Sequence, residues 1–224
     1  MFQHQNIWLP DGEKHFQEWM TKNGEEVDGK GTYQIKKWRA CEPWIKQWRV
    51  AVDIGSHVGL WTMQMVKRFQ FVHCFEPMEQ FRACFFENMK WANNFALHPV
   101  ALGAKGGMCF MGYDPADSGN THVFRMAAVN DDDQAAVKME TLDEHRVGAV
   151  DFIKVDVEGF EDRILYGAEN TLKLWRPCVI VEQKQHKMAK NFGESGRPAC
   201  AFLEKLGAKL RQEISGDYIY SWDA

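Results

Sequence analysis

The sequence lacks the cysteine patterns that mark disulfide-stapled domains and thiolate metal sites. Its 224 residues include six cysteines, and no two of them form a C-x-x-C pair. Cys74 and Cys178 lie inside apolar runs, where cysteine behaves as a small hydrophobic residue. We therefore expect reduced thiols and a core that holds together without covalent staples.

Long apolar runs and a strong excess of charge are also missing. No stretch reaches the ~18 apolar residues of a membrane span, and residues 1–6 do not resemble a signal peptide. The formal net charge of −4 lacks the basic excess typical of proteins that bind nucleic acid or anionic membranes. The expected location is the cytoplasm, without a membrane partner and with nucleic acid disfavoured as a partner.

Short apolar runs alternate with helical patterns from residue 50 onward. The runs Val50–Ile54, Phe71–Phe75, 151–156 and Cys178–Glu182 have the length of buried strands. Strands separated by helices predict an α/β, Rossmann-like fold with a mostly parallel, doubly wound sheet, and residues 209–222 predict a C-terminal antiparallel hairpin. Helices are further predicted at 60–68, 78–91, 161–175 and 199–206, and strands at 97–102, 108–113 and 121–126.

Two segments depart from this alternation. Residues 1–49 precede the α/β domain predicted over residues 50–224, and they are rich in aromatic side chains and, from Lys30 to Arg49, in basic ones. We interpret them as a helical extension that packs its aromatics on the sheet. Alternatively, they stack on a sugar or base beside a phosphate, or form a lid over a substrate pocket. Residues 103–139 read as a functional excursion within the domain.

A glycine-rich turn joins the first long strand to the pattern that follows it. Gly55 and Gly59 come directly after Asp53, but His57 stands where a dinucleotide fingerprint has its middle glycine. A pyrophosphate therefore fits badly. A smaller ligand carrying a carboxylate and an ammonium fits better, with the carboxylate on the helix N-terminus and Asp53 near the ammonium. The methionine end of S-adenosylmethionine (SAM) is such a ligand.

Glu76 closes the second strand of the alternating region. A carboxylate at the end of that strand is placed to accept hydrogen bonds from both hydroxyls of a ribose, as acidic residues do in NAD sites. The turn and the glutamate are each common features, but in this order they predict a nucleoside-containing ligand.

With these elements in order, the sequence resembles the FkbM-type methyltransferase family from about Val50 to Glu182. The matching pieces are Val52-Asp53-Ile54-Gly55 with Gly59, Phe75-Glu76-Pro77, Val100 to Gly103, Glu140 to Asp143, Asp151 to Glu161, Gly167 to Glu169, and Pro177 to Glu182. The resemblance implies a class I methyltransferase fold, SAM as the methyl donor with S-adenosylhomocysteine (SAH) as product, and transfer to an oxygen. It also implies a small hydroxylated substrate such as a sugar.

The resemblance also implies roles for individual positions. Asp53, Gly55, Ser56 and Gly59 would hold the methionine end of the cofactor. Glu76 with Pro77 would bind its ribose, Ala101 and Leu102 would lie against its adenine, and Asp156 would face the methyl donor and the substrate.

A hydroxyl acceptor must lose a proton, so the site needs a base. Asp156 and Glu158 follow one strand, and Glu182 and His186 follow the next. We expect Asp156 to orient the acceptor and His186 or Glu182 to receive the proton. Alternatively, Glu158 caps a helix, His186 is a solvated loop residue, and Glu182 pairs with a lysine. Asp156 and Glu182 also suit a divalent cation, although no third ligand stands out, so metal dependence stays open.

Two rival functions remain at this level. A nucleic-acid ribose 2′-O-methyltransferase would explain Lys154, Asp156 and the basic N-terminal stretch. A cofactor-binding module without catalysis would explain the turn and Glu76 alone. The sequence names neither the acceptor nor the oligomeric state.

Overall fold

The computed structural model describes residues 1–113, 121–124, 134–183 and 196–223. Its strands are β1 (Phe2–His4), β2 (Ile7–Leu9), β3 (Glu26–Val27), β4 (Lys30–Gly31), β5 (Val50–Ile54), β6 (Phe71–Phe75), β7 (Phe95–His98), β8 (Ala101–Leu102), β9 (Gly107–Tyr113), β10 (Thr121–Phe124), β11 (Gln134–Glu140), β12 (Val150–Val155), β13 (Cys178–Glu182), β14 (Lys209–Ile214) and β15 (Asp217–Ser221). Its helices are α1 (His15–Asn23), α2 (Ile35–Cys41), α3 (Thr62–Met65), α4 (Glu79–Met89), α5 (Leu142–His145), α6 (Glu161–Tyr166), α7 (Glu169–Trp175) and α8 (Pro198–Lys205), with a 3-10 turn at Glu42–Trp44.

A seven-stranded sheet forms the centre, in the order β14-β15-β13-β12-β5-β6-β7. The strands from β13 to β7 are parallel, and β14 and β15 form an antiparallel hairpin that adds to β13. The predicted doubly wound α/β sheet with its C-terminal hairpin is therefore confirmed. From β5 the chain adds β6 and β7 on one side of the sheet, and it later adds β12 on the other side of β5. The order in which strands are added therefore reverses between β5 and β12. Ligands of such sheets bind outside the carboxyl ends of the strands at this point.

The predicted strand over 97–102 is wrong, because the chain breaks into two strands that join different sheets. β7 ends at His98 in the central sheet, and β8 pairs with β11 in a second, four-stranded sheet of order β10-β9-β11-β8. Pro99 lies between the two strands and has no N–H to donate to a ladder. Part of the predicted excursion thus forms this second sheet, while residues 114–120 and 125–133 lie outside the described part.

Two predicted helices are also shorter than expected. The segment predicted at 161–175 is two helices, α6 and α7, separated by Gly167. A Cβ at residue 167 would lie 2.0 Å from the carbonyl oxygen of Gly103, so only glycine permits this close approach. Of the helix predicted over 60–68, only the four residues of α3 are α-helical.

The N-terminal segment contains hairpins as well as the predicted helices. β1 pairs with β2 and β3 pairs with β4, both antiparallel. Gln5 and Asn6 join the first pair with φ of 46° and 59°, and Asp28-Gly29 joins the second with φ of 54° and 71°. Two successive residues with positive φ make the tight turns of two-residue hairpins, and Asp-Gly is a strong sequence signal for one. The segment therefore combines helices with two hairpins that the sequence analysis did not predict.

This segment shares its core with the central sheet. Ile7, Phe16 and Trp38 are buried in one continuous apolar cluster with Ala51 of β5 and Phe152 of β12. The burial of its aromatics against the sheet agrees with the interpretation of a packed cover. In the described part of the chain, no helix is both long and apolar enough to cross a bilayer.

A buried ion pair links the N-terminal segment to β15 of the central sheet. The Lys37 ammonium of α2 donates to the Asp217 carboxylate of β15, and both residues are buried. Burial raises the pKa of Asp217 to about 6, and the Lys37 charge opposes that rise. The Asp217 carboxylate therefore depends on Lys37 for its charged form.

We expect Lys37→Ala to lower the free energy of unfolding by about 3 to 5 kcal/mol at pH 7, because the buried Asp217 carboxylate loses its partner. Urea denaturation followed by tryptophan fluorescence measures the change. At pH 5 the loss should shrink, because protonated Asp217 no longer needs a counter-charge.

Lys36→Ala is the matched control on the same helix. Its side chain is 84% exposed and pairs with Glu25 at 3.3 Å, so its removal should cost less than about 1 kcal/mol. Equal losses for the two variants would contradict the role given to the buried pair.

Candidate active site

A deep cleft opens at the carboxyl ends of the parallel strands, where the strand order reverses. It encloses about 1140 Å³, including its open mouth. Its walls come from the β5 turn, the ends of β6, β12 and β13, the β8 region and the N-terminal segment. The lining residues are His15, Phe16, Tyr33, Ile54, Gly55, Ser56, His57, Val58, Leu60, Trp61, Phe75, Glu76, Pro77, Val100, Ala101, Leu102, Met111, Lys154, Asp156, Val157, Glu158, Ile164 and Glu182.

Gly55 allows the turn after β5 to pass directly under the end of β12. Its φ is +73°, and a Cβ there would lie 2.2 Å from the carbonyl oxygen of Asp156. The Gly55 and Ser56 N–H groups donate to the Phe75 carbonyl at 3.1 Å, and the His57 N–H donates to Glu76 Oε2 at 3.0 Å. The expected helix N-terminus with free amides is therefore not what these residues form, because three successive amides are already bonded within the protein.

Asp53 and Gly59 lie behind the turn and do not line the cleft. The Asp53 side chain is fully buried, and its Oδ2 accepts a hydrogen bond of 2.6 Å from the Thr62 hydroxyl. Gly59 packs against the Phe85 ring of α4. Both predicted cofactor residues thus shape the turn from within, whereas Gly55 and Ser56 reach the cleft.

A buried lysine lies at the floor of the cleft. The Lys154 ammonium, on β12, donates to the Gly55 carbonyl at 2.9 Å. It lies 3.6 Å from Asp53 Oδ1 and 3.9 Å from Asp156 Oδ2. Burial alone would lower its pKa, but the surrounding carboxylates, Asp156 first, raise it above the usual value. A charged residue inside an apolar strand run was the sequence signal for this position.

Glu76 closes one wall of the cleft with a buried carboxylate. Its Oε2 accepts from the His57 N–H, and its Oε1 accepts from the Met78 N–H at 2.9 Å. Burial raises the pKa of Glu76 to about 7, and these two hydrogen bonds oppose the rise. Each oxygen keeps further acceptor capacity for hydroxyl donors in the cleft.

An apolar wall continues from Glu76. Pro77, Val100, Ala101, Leu102 and Met111 line it, and Ala101 and Leu102 belong to the short strand β8. The predicted adenine-side residues are therefore brought next to the predicted ribose residue. A flat apolar surface beside a hydroxyl-accepting carboxylate suits a nucleoside.

Three carboxylates gather on the opposite side of the cleft. Asp156, Glu158 and Glu182 each offer an oxygen, and these oxygens lie within 4.8 Å of one another. Glu158 thus adds a third carboxylate to the two that the sequence analysis considered for a cation. It has a φ of +61°, and it lies two residues before Phe160, the N-cap residue of α6.

The neighbouring Glu161 stabilises the loop that carries Glu158 by accepting hydrogen bonds from its backbone. Its Oε1 accepts from the Val157 and Gly159 N–H groups at 3.3 and 2.9 Å. Burial raises the pKa of Glu161 to about 8. His186, the remaining predicted catalytic residue, lies outside the described residues.

The N-terminal segment contributes residues that the sequence did not single out for the site. His15, Phe16 and Tyr33 line the cleft, and His15 Nε2 lies 3.5 Å from the Tyr33 hydroxyl. Their only sequence signal was the aromatic richness of residues 1–49. The cleft therefore joins a nucleoside-shaped half to a polar half, a combination suited to a nucleoside cofactor and a second, smaller substrate.

Comparison with known proteins agrees with this geometry. The family model described as the methyltransferase FkbM domain matches residues 53–210, more than half of the chain. No curated protein sequence matches.

Among solved structures, the chain is similar to the methyltransferase FkbM from Methylobacillus flagellatus KT, with a TM-score of 0.53 and 15% identity over 77% of this chain and 43% of that one. The chain thus spans less than half of that protein's length. A precorrin-6y C5,15-methyltransferase from Geobacter metallireducens GS-15 has a TM-score of 0.52 and 14% identity, covering 87% of this chain and 94% of that one. A Streptococcus mutans protein described as a methyltransferase and solved with SAH has a TM-score of 0.51 and 9% identity, covering 84% and 96%.

The solved structures share the fold at low identity, and the family model spans the turn, Glu76 and the Asp156 block. The chain belongs to the FkbM methyltransferase family.

Proposed function

We propose that the protein transfers a methyl group from SAM to a hydroxyl of a small, hydroxylated molecule such as a saccharide or nucleotide sugar. One observation carries the proposal: the ends of β5, β6 and β12 bring Gly55, Glu76 and Asp156 to a single cleft. These three residues are far apart in sequence, and a class I methyltransferase arrangement gives each of them a part in one reaction.

The residues of the cleft fit the cofactor in three places. Glu76 has acceptor capacity for the ribose hydroxyls, and the wall from Pro77 to Leu102 suits the adenine. The Gly55–His57 turn lies where the methionine end would bind. The Ser56 hydroxyl is enclosed there without a hydrogen-bond partner among the described residues. When bound, SAM supplies a methyl group that its sulfonium already makes strongly electrophilic.

The protein then has two tasks. It must align the acceptor oxygen with the methyl carbon, and it must take the hydroxyl proton. We assign the first task to Asp156, which Lys154 holds at the end of β12. The second task falls to Glu182, Glu158 or His186. Glu182 is the buried member of the carboxylate group.

The same three carboxylates also suit a hard divalent cation, which would align the acceptor through its own bonds. EDTA treatment separates these two roles. If the carboxylates act as orienting group and base, we expect EDTA to leave turnover unchanged. Loss of turnover with EDTA, and its return with Mg²⁺, would assign Asp156, Glu158 and Glu182 to a metal instead.

The two rival functions separate by simple measurements. A nucleic-acid methyltransferase would bind RNA with an affinity that falls steeply as salt rises, because phosphate contacts release counterions. A cofactor-binding module without catalysis would bind SAH but transfer no methyl group. RNA binding at two salt concentrations, and methyl transfer by protein that binds SAH in calorimetry, distinguish these rivals from the proposal.

The ionisation of Glu76 should control cofactor affinity near neutral pH. Its pKa of about 7 means that the carboxylate form, which accepts from two ribose hydroxyls, becomes dominant as pH rises from 6 to 8. We expect SAH to bind several-fold more tightly at pH 8 than at pH 6, up to roughly tenfold. Calorimetric titration at several pH values measures this.

Glu76→Gln is the control, since an amide cannot ionise over this range. Its SAH affinity should be weak and independent of pH. A variant that keeps the full pH dependence of the wild type would refute the assignment to Glu76.

Asp156→Asn should lower turnover by about 10² to 10⁴-fold, because the acceptor loses its orienting carboxylate. SAH affinity should stay within a few-fold of the wild type, since the turn and Glu76 are intact. The measurement is transfer of radiolabelled methyl from SAM to a panel of neutral saccharides and nucleotide sugars.

Glu182→Gln and His186→Ala, tested in the same assay, identify the proton acceptor. The base is the residue whose replacement removes the acidic limb of the pH profile. Intact turnover in Asp156→Asn and in both of these variants, with cofactor bound, would show that the assignment is wrong.

A further inference from the structure

His57 occupies an unusual position in the glycine-rich turn. It has a φ of +50°, in the left-handed region that favours glycine, and its side chain lines the cleft. A bulky residue kept in this conformation suggests that the side chain itself is needed there. The missing middle glycine of the sequence pattern is therefore more than a departure from the dinucleotide fingerprint.

Two phenylalanine rings hold the imidazole in place. The Phe81 ring of α4 lies 3.7 Å from it, centroid to centroid, at an interplanar angle of 35°. The Phe16 ring of α1 lies 5.0 Å away at 59°. The backbone of His57 is fixed as well, by its hydrogen bond to Glu76. The imidazole is thus clamped between the N-terminal segment and the α/β domain, and its orientation is set before any ligand arrives.

The two ring nitrogens have different surroundings. Nδ1 is enclosed and has no hydrogen-bond partner among the described residues. Nε2 also makes no hydrogen bond there, but it is not fully enclosed. An enclosed lone pair is tolerated better than an enclosed N–H, so we assign the proton to Nε2. Burial lowers the pKa of His57 to about 3, so the ring stays neutral at physiological pH. The cleft therefore receives one oriented, uncharged N–H donor.

A carboxylate in this part of the cleft needs such a donor. The backbone amides of Gly55, Ser56 and His57 are already bonded within the protein. Of the side chains in the turn, only the Ser56 hydroxyl and the His57 ring can donate.

We propose that His57 binds the carboxylate of the cofactor's methionine end through Nε2–H, and that Phe16 from the N-terminal segment holds the ring in position for this contact. The inference rests on the proposed use of SAM. It adds a binding residue to the turn and makes the N-terminal segment part of the cofactor site. No proton moves in this contact, and no bond is made or broken.

The test compares two ligands that differ at the relevant end. SAH carries the methionine-derived amino acid, and 5′-methylthioadenosine lacks it. In His57→Gly, SAH should bind about tenfold to hundredfold more weakly than in the wild type, as expected for a lost hydrogen bond to a charged group. Affinity for 5′-methylthioadenosine should not change. Calorimetry measures both.

Glycine is the informative replacement because it suits a φ of +50° without strain. The variant also loses the packing of the imidazole on Phe81 and Phe16, so the ratio of the two ligand affinities, and not the melting temperature, distinguishes a binding role from a structural one. His4→Asn, which changes a histidine of the N-terminal segment away from the cleft, should leave both affinities unchanged.

Phe16→Leu tests the clamp. It should weaken SAH binding about threefold or more while sparing 5′-methylthioadenosine, because the imidazole loses one wall but keeps its backbone contact. Phe2→Leu is its control, since Phe2 packs on the same core without lining the cleft.

Equal weakening of both ligands in His57→Gly, or SAH binding within about twofold of the wild type, would overturn the inference and leave the proposed function standing. Failure of the wild-type protein to bind SAH would overturn the proposed function, and the inference with it.

Discussion

The site depends on one buried ammonium, that of Lys154. It donates to the carbonyl of Gly55 and lies between the carboxylates of Asp53 and Asp156, so a single charge joins the end of β5 to the end of β12. These are the two strands between which the sheet reverses direction. Without a cation there, two carboxylates would face each other in a buried environment, which is costly. The lysine thereby permits Asp156 in the cleft and Asp53 directly behind it, and the glycine-rich turn lies next to the ammonium.

Burial also raises the pKa values of three other acids in or near the site. Glu76, Glu161 and Asp217 all have pKa values raised by loss of contact with water, and each is held by backbone amides or by a lysine. Raised values mean that these groups lose some of their charge near neutral pH. Glu76 is the one of these three that lines the cleft, and a ligand that brings hydroxyl donors to it stabilises its ionised form.

The N-terminal segment is joined to this site in two ways. Lys37 ties α2 to β15, whose Asp217 lies opposite Glu182 in the sheet register. Phe16 of α1 packs on the ring of His57 at the glycine-rich turn. Both contacts link residues that are distant in sequence, and neither could be inferred from composition. The segment was recognisable as aromatic and basic, yet its basic residues divide between a buried pair, surface pairs and the Arg49–Asp151 contact.

The sequence by itself determined the sheet, the turn and the family, because strand length, glycine position and the Asp156 block are local patterns. It predicted Gly55, Ser56, Glu76, Ala101, Leu102 and Asp156, and all of them line the cleft. Only the tertiary structure decided that Lys154 belongs to the site, that Glu158 lies close to both Asp156 and Glu182, that Asp53 supports the site from behind, and that His15, Phe16 and Tyr33 reach it. These outcomes depend on contacts between segments that are distant in the sequence. Burial, charge compensation and close backbone approach act across such contacts, and the periodicity of a local sequence pattern does not reveal them.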